Sequence, residues 1–199
     1  MPTRTTQSTQ PKAIKSSPRE RLLQAASELF YAEGVQSVGI DRVIERAGVA
    51  KASLYSTFGS KEELVYAYLN ARHEETLARL RSAVAARKDP IERLLAVFDA
   101  QARLFHTPDF HGCAFTAAAA EALPGGRIDA AAESYRHDIH ALFSELAVAA
   151  GAPDPEFLAS QLQLVYDGGG LAARMDQNPD IATPARAAAS ALIAAALAH

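Results

Sequence analysis

The stretch that decides the fold runs from Ala47 to Leu64 and reads AGVAKASLYSTFGSKEEL. Ahead of it, Val38, Ile40, Val43, Ile44 and Ala47 recur at helical spacing, and from Lys51 onward Leu54, Tyr55 and Phe58 do the same. Each stripe is barely two turns long. Between them lies Ala47-Gly48-Val49, where a glycine takes the positive φ that a sharp turn between two helices needs. Val49 then plugs the angle between the two helices. Gly59-Ser60 ends the second of them, and Ser60 with Glu63 forms a capping box for a long helix that opens at Lys61. This spacing suits a helix-turn-helix whose second helix reads DNA, and equally a structural corner between helices. In the first case Lys51, Ala52, Ser53, Ser56 and Thr57 face outward while Leu54 and Phe58 pack inward. The outer face is then small and rich in hydrogen-bonding groups, fit to press into a major groove.

Upstream, Ser17-Pro18-Arg19-Glu20 holds a cap, a proline at the first helical position and a glutamate three residues after the cap. A first helix therefore runs from Pro18 to about Glu33, burying Leu22, Ala25, Ala26, Leu29 and Phe30, with Gly34 as its stop. Residues 1–16 are polar and carry Arg4, Lys12 and Lys15 with no acid. They read as a flexible tail: a solvated terminus, or an arm for an adjacent minor groove.

Downstream, the fourth helix runs from Lys61 to about Lys88, and further helices are expected over Ile91–Phe105, Cys113–Leu123, Ile128–Ala150, Glu156–Met175 and Thr183–Ala198. Thr107-Pro108, Pro124-Gly125-Gly126, the Gly151–Pro155 stretch and Asn178-Pro179 separate them. Nothing alternates as a strand does, so the fold class is all-α with about nine helices: a three-helix head over 17–62 and a larger helical body over 63–199. Gly168-Gly169-Gly170 inside the eighth helix implies a kink or a close helix contact.

At 199 residues and 49% hydrophobic content the chain can bury one continuous core or two modest ones. The net charge of −3 would argue against a nucleic-acid partner, but it is unevenly spread. Residues 1–61 hold nine Lys/Arg against five Asp/Glu, and the rest eleven against eighteen. A basic head on an acidic body suits phosphate contact at one end only. The single cysteine, Cys113, excludes an internal disulfide. The Ala-rich run at Ala187–Ala198 reads as too short and too weakly apolar to span a bilayer, and the N-terminus has no apolar signal core, so a cytoplasmic location without membrane contact is expected.

Ala47–Leu64 resembles the DNA-binding signature of the TetR family of transcriptional regulators almost position by position, and the first helix and Gly34 match as well. The resemblance covers residues 18–66 closely and the remainder in helix count and length. It implies that Lys51, Ala52 and Ser53 sit at base edges, that Tyr55 and Thr57 meet phosphates, and that Lys61 and nearby backbone N–H groups hold the phosphate backbone. Arg42, exposed on the second helix, has two readings: a guanine or phosphate contact, or a solvated arginine paired with Glu45. Arg46 offers it no partner. The chain departs from the family's usual pattern at Gly39, Ala50 and Thr57, where serine or threonine, serine and histidine are common. Gly39 thereby removes one phosphate contact, and Ala50 removes a cap.

The resemblance further implies a C-terminal body that holds a small-molecule effector and a homodimer built on the last two long helices. Leu158, Leu162, Val165 and Tyr166, with Ala185, Ala188, Leu192 and Ala195, mark candidate apolar faces for that dimer. Phe98, Phe105, Phe110, Phe115, Phe143 and Tyr166 offer aromatic walls, or plain core, and Gln101, His140 and Asp167 offer polar contacts for an apolar or aromatic effector. His111-Gly112-Cys113-Ala114-Phe115 followed by Glu121 resembles a Gly-Cys segment of one branch of the family. Cys113 is then either a thiol made reactive at a helix start or a small buried hydrophobe.

His106, His111 and Cys113, or His137 and His140, lack the spacing of a metal site, and no Ser-His-Asp or phosphate-loop pattern occurs. No metal, cofactor or catalysis is expected. The reading is a repressor released from double-stranded palindromic DNA by its effector. The alternative is a small-molecule-binding or catalytic helical protein with a vestigial DNA head.

Overall fold

A computed structural model describes residues 16–122 and 125–198, and the N-terminal tail and Leu123 lie outside the described residues. The described residues form nine α-helices and no strand.

Helix α1 (Pro18–Glu33) starts as its sequence dictates: the Ser17 hydroxyl accepts from the Glu20 backbone N–H, and the Glu20 carboxylate accepts from the Ser17 N–H at 2.7 Å. Those bonds to the ionised form hold the Glu20 carboxyl below its usual range. Helices α2 (Ile40–Ala47) and α3 (Lys51–Phe58) meet at Gly48, whose φ of 60° and ψ of 44° are left-handed. Arg21 Nη1 donates to the Gly48 carbonyl at 3.2 Å, tying the turn to α1. Leu22, Ala26, Val38, Val43, Leu54 and Leu64 close the head's core with no exposure at all. Val38 lies before α2 rather than within it, because Gly39 is that helix's N-cap.

Helix α4 (Lys61–Ala85) leaves the head at Ser60, whose hydroxyl accepts from Glu63 N–H, and continues into the body. The body adds α5 (Pro90–Phe105), α6 (Ala114–Glu121), α7 (Arg127–Ala149), α8 (Pro155–Met175), a 3₁₀ turn at Pro179–Ile181 and α9 (Ala182–Leu197). Asp89 accepts from the N–H groups of Ile91 and Glu92, so α4 ends at Ala85, short of the expected Lys88, and the cap starts α5. Helices α7 and α8 are antiparallel. Arg136 faces Gln163, His140 faces Ser160 and Ser144 faces Glu156, pairs whose numbers rise on one helix as they fall on the other.

One buried apolar cluster runs from Leu22 in the head to Ile193 in α9, continuous across residue 62 because α4 serves both parts. The three glycines of α8 do not interrupt it. A Cβ on Gly169 would stand 3.3 Å from that of Ala185 on α9, and one on Gly170 would stand 3.5 Å from Gln101 Nε2. Close contact with α9, not a break in the helix, therefore accounts for Gly169, while a Cβ on Gly170 would meet only an ordinary contact and the space beside Gly168 is open.

With its 3₁₀ turn the segment Pro179–Leu197 spans 19 residues at a mean hydropathy of 1.2. It meets the length and composition of a membrane span, as apolar helices of globular proteins also do, and the run Ala187–Ala198 is only its second part. Only 17% of it is buried within the chain, where Ala189 and Ile193 are closed off.

Candidate nucleic-acid interface and body interior

Helix α3, the candidate reader, presents Lys51, Ala52, Tyr55, Ser56 and Thr57 to solvent, with Ser53 half-buried and Leu54 fully inside. Its N-cap, Ala50, has the extended backbone of a cap (φ −72°, ψ 149°) but no side chain to accept a hydrogen bond. The first N–H groups of α3 therefore remain open to an external acceptor, which favours an anion there. Because the backbone is already in the right region, Ala50→Ser is expected to stabilise the chain by about 1 kcal/mol, raising Tm by roughly 2–4 °C in thermal unfolding.

The hydroxyls of Ser56 and Thr57 both turn back on the Ser53 carbonyl, at 3.2 and 2.6 Å. Each uses its one hydrogen internally and leaves oxygen lone pairs outward, so a phosphate contact from Thr57 requires its hydroxyl to rotate. Gly39 is exposed at the start of α2 and supplies no side-chain bond, and Lys61 is half-buried in the first turn of α4.

Every cation of α2 and α3 has a carboxylate partner in the free protein. Lys51 Nζ lies 2.9 Å from Asp41, Arg42 grips both oxygens of Glu33 at 2.6 and 2.9 Å, and Arg46 binds Glu28 at 2.7 Å. This corrects one reading of the sequence, since Arg42 pairs not with Glu45 but with Glu33 of α1; Arg46, which offers Arg42 no partner, reaches α1 as well. The guanidinium beside Glu33 holds that carboxyl below its usual range, and Asp41 raises the Lys51 ammonium. All are exposed, so the pairs add little stability. The two arginine pairs join α2 to α1, and the Lys51 pair joins α3 to α2. Arg42 is thus a positioned arginine whose surface remains half open to solvent.

The body touches the head at a second place besides α4. The Tyr31 hydroxyl donates to the Gly112 carbonyl at 3.0 Å and accepts from His111 N–H at 3.1 Å. The Glu121 carboxylate accepts from Gln36 N–H at 2.8 Å, while Gln36 Nε2 donates back to the Glu121 carbonyl. Gly34 is needed here for space as well as for its φ of 90°, since a Cβ would stand 2.8 Å from Glu121.

The ten body residues singled out from the sequence separate into groups. Phe98, Phe143 and Tyr166 meet in the interior with ring centroids 5.8–6.4 Å apart, and Gln101, buried, donates from Nε2 to the Tyr166 carbonyl at 2.7 Å. Phe115 stacks on Tyr135 at 3.9 Å, and Phe105 pairs with Phe110. Cys113, expected as the first residue of a helix, is instead the N-cap of α6, which starts one residue later at Ala114, because Gly112 at φ 94° turns the chain there. It is half-buried beside Tyr31, Tyr68 and His111 around a gap of about 20 Å³. His140 and Asp167 are not drawn into the interior: His140 contacts Ser160 and Glu156 at the α7–α8 seam, and Asp167 is held by Arg136.

Reading the sequence missed Tyr68, Arg72, His73, Arg79 and Tyr135. Arg72 lies 3.8 Å over the Tyr31 ring, and His73 stands edge-on to both Phe115 and Tyr135. Tyr68, Arg72 and Arg79 recur at spacings of four and seven along α4, a stripe that was legible as one helix face. No three His, Cys, Asp or Glu side chains converge among the described residues.

A family model for bacterial regulatory proteins of the tetR family matches residues 22–68. The chain is 39% identical over 82 residues to the HTH-type transcriptional activator FasR of Mycolicibacterium smegmatis, covering 41% of this chain and 37% of that one. It is 34% identical over 83 residues to the HTH-type transcriptional repressor KstR2 of Mycobacterium tuberculosis, covering 42% of each. The chain thus spans about two fifths of the length of these curated relatives. Solved structures extend the likeness over the body. A TetR-family regulator from Streptomyces coelicolor superposes with a TM-score of 0.84 at 28% identity, covering 90% of this chain and 95% of that one. A putative tetR transcriptional regulator from Streptomyces avermitilis does so at 0.81 and 35% identity, covering 92% of this chain and all of its own length. With the helix-turn-helix matched by the family model and the whole length matched at 35% identity, the chain belongs to the TetR family of transcriptional regulators.

Proposed function

We propose that this protein is a dimeric transcriptional repressor that binds a palindromic operator through α3 and releases it when a small aromatic effector enters the body. The observation that carries the DNA-binding part is the reader itself. Gly48 sets an exposed, small-faced helix with open N–H groups at its start, carrying Lys51 and Tyr55 on its exposed side. An acid beside this face competes with DNA for Lys51. Asp41→Asn removes that competitor and a like charge to phosphate, so operator affinity is expected to rise about threefold at low salt, with the gain fading as salt is added. Fluorescence anisotropy on a labelled operator measures it, and an unchanged or weaker affinity would place Lys51 away from DNA.

What α8 leaves outside supports the dimer. Leu158, Leu162 and Tyr166, expected from the sequence to mark the interface, are buried within the chain itself, and Val165 is partly buried. The exposed stripe is the opposite one: Phe157 at 61%, Leu164 at 70% and Leu171 at 55% recur every seven residues, and Met175 at 73% follows. Gly168 lies on the same face, open to solvent and without a neighbour. A second copy crossing there through α8 and α9 would cover this apolar surface and use the space at Gly168 for close approach.

Two half-site heads joined by such an interface can be misaligned from within. Helix α4 links body to reader through Gly59-Ser60, and the Glu121 and Tyr31 contacts fasten α6 to α1, so a change in the body that shifts α4 against α6 moves the head.

A further inference from the structure

Every cation of α2 and α3 faces a carboxylate, but on α1 that pattern breaks. Of the two arginines near its start, Arg21 is held by the Gly48 carbonyl, while Arg19 is exposed and pairs with no carboxylate among the described residues. The acids beside it are engaged elsewhere. Glu20 accepts from the Ser17 N–H at 2.7 Å, and Glu63, in the first turn of α4, is held by Arg127. What places Arg19 is a ring: its guanidinium carbon stands 5.6 Å from the centroid of Phe58, the last residue of α3. At that range the ring attracts the cation without neutralising it. Arg19, Thr57 and Phe58 line one open groove of about 440 Å³ between α1, the end of α3 and α4. Glu63 and Glu74 stand on its α4 wall, so an anion entering there is kept to the rim formed by Arg19 and Thr57.

We propose that Arg19 is a phosphate contact of the head, meeting the DNA backbone beside the C-terminal end of α3 as Lys51 does at its start. This rests on the reading of α3 as the helix that enters DNA and adds a contact from outside the helix-turn-helix. From Lys51 to Phe58 the helix rises about 10 Å, close to the major-groove width of about 12 Å. A reader of that length with a cation at each end can meet phosphates on both rims of the groove. Thr57, next to Arg19 in the same rim, offers only an uncharged hydroxyl, so the counterion-releasing charge at this end comes from α1. Phosphate contacts carry no base information, and Arg19 therefore adds affinity for any duplex and leaves the choice of sequence to α3.

The test is fluorescence anisotropy of the full chain with a labelled duplex of mixed sequence, long enough for two half-sites, over a salt series from about 50 to 200 mM. Arg19→Gln is expected to weaken binding about threefold to tenfold at the low-salt end and to lower the slope of log affinity against log salt by about 1 for each head bound. Arg19→Lys keeps the charge, and should keep the slope with part of the affinity. The side chain is exposed, so both variants should retain the helical circular dichroism of the wild type. If Arg19 only covers Phe58, Arg19→Gln lowers the melting temperature and leaves the salt slope as it was. A wild-type slope in Arg19→Gln therefore overturns the phosphate contact, while Lys51 and Lys61 still test the reader on their own. A wild-type chain that binds the duplex nowhere in the series overturns both.

Discussion

Alanine at both Lys51 and Lys61 is expected to weaken operator binding about 100-fold at moderate salt and to lower the slope of log affinity against log salt by about 2. The two lysines stand at the starts of α3 and α4, and at α3 uncapped backbone N–H groups already favour phosphate. Removing each should eliminate one counterion-releasing contact without unfolding the head, since neither is buried and the Lys51–Asp41 pair is exposed on both sides. Circular dichroism would show the helices intact while anisotropy shows affinity lost. A double variant that binds as the wild type does, with the same salt slope, would mean that this face does not meet the phosphate backbone.

Glutamate at both Leu164 and Leu171 is expected to turn a dimer into a monomer at micromolar concentration, as light scattering behind gel filtration would report. Both side chains are more than half exposed in the single chain, so the substitutions leave its own core alone. In a dimer each would bury an unpaired charge in an apolar contact, and two-fold symmetry doubles the effect. Operator affinity should fall with it, because two half-sites are then bound independently rather than as a unit. A variant that stays dimeric would put the interface elsewhere on the molecule.

Much of this was legible because the sequence states its helix boundaries in side-chain chemistry. Ser17 with Glu20, Gly48 and Asp89-Pro90 are realised as written, and Ser60 caps α4 through Glu63 N–H although the Glu63 carboxylate turns to Arg127 instead of closing the box, so the head and the order of helices followed from local rules. What local rules could not reach was pairing between helices. Arg42 has Glu45 three residues away and chooses Glu33 instead, because packing α2 on α1 brings that carboxylate into a two-pronged geometry. Helix α8 shows the same limit in another form. It is apolar on two faces, and periodicity alone does not say whether Leu158, Leu162 and Tyr166 or Phe157, Leu164 and Leu171 turn inward. The body's candidate ligand contacts were chosen for aromaticity, which found Phe98, Phe143 and Tyr166. It passed over Tyr68, Arg72 and Arg79, whose charged neighbours on α4 look like an ordinary solvated surface.

The central claim is that α3 reads DNA as one of a symmetric pair. Selection from a random-sequence duplex library by the purified chain, followed by sequencing of what is retained, tests it most directly. The expected outcome is an enriched inverted repeat whose half-sites are separated by about one helical turn, or a multiple of it, and whose enrichment disappears with Lys51→Ala and Lys61→Ala together. Retention of DNA without any shared sequence, or of a repeat that the double variant still selects, would contradict it.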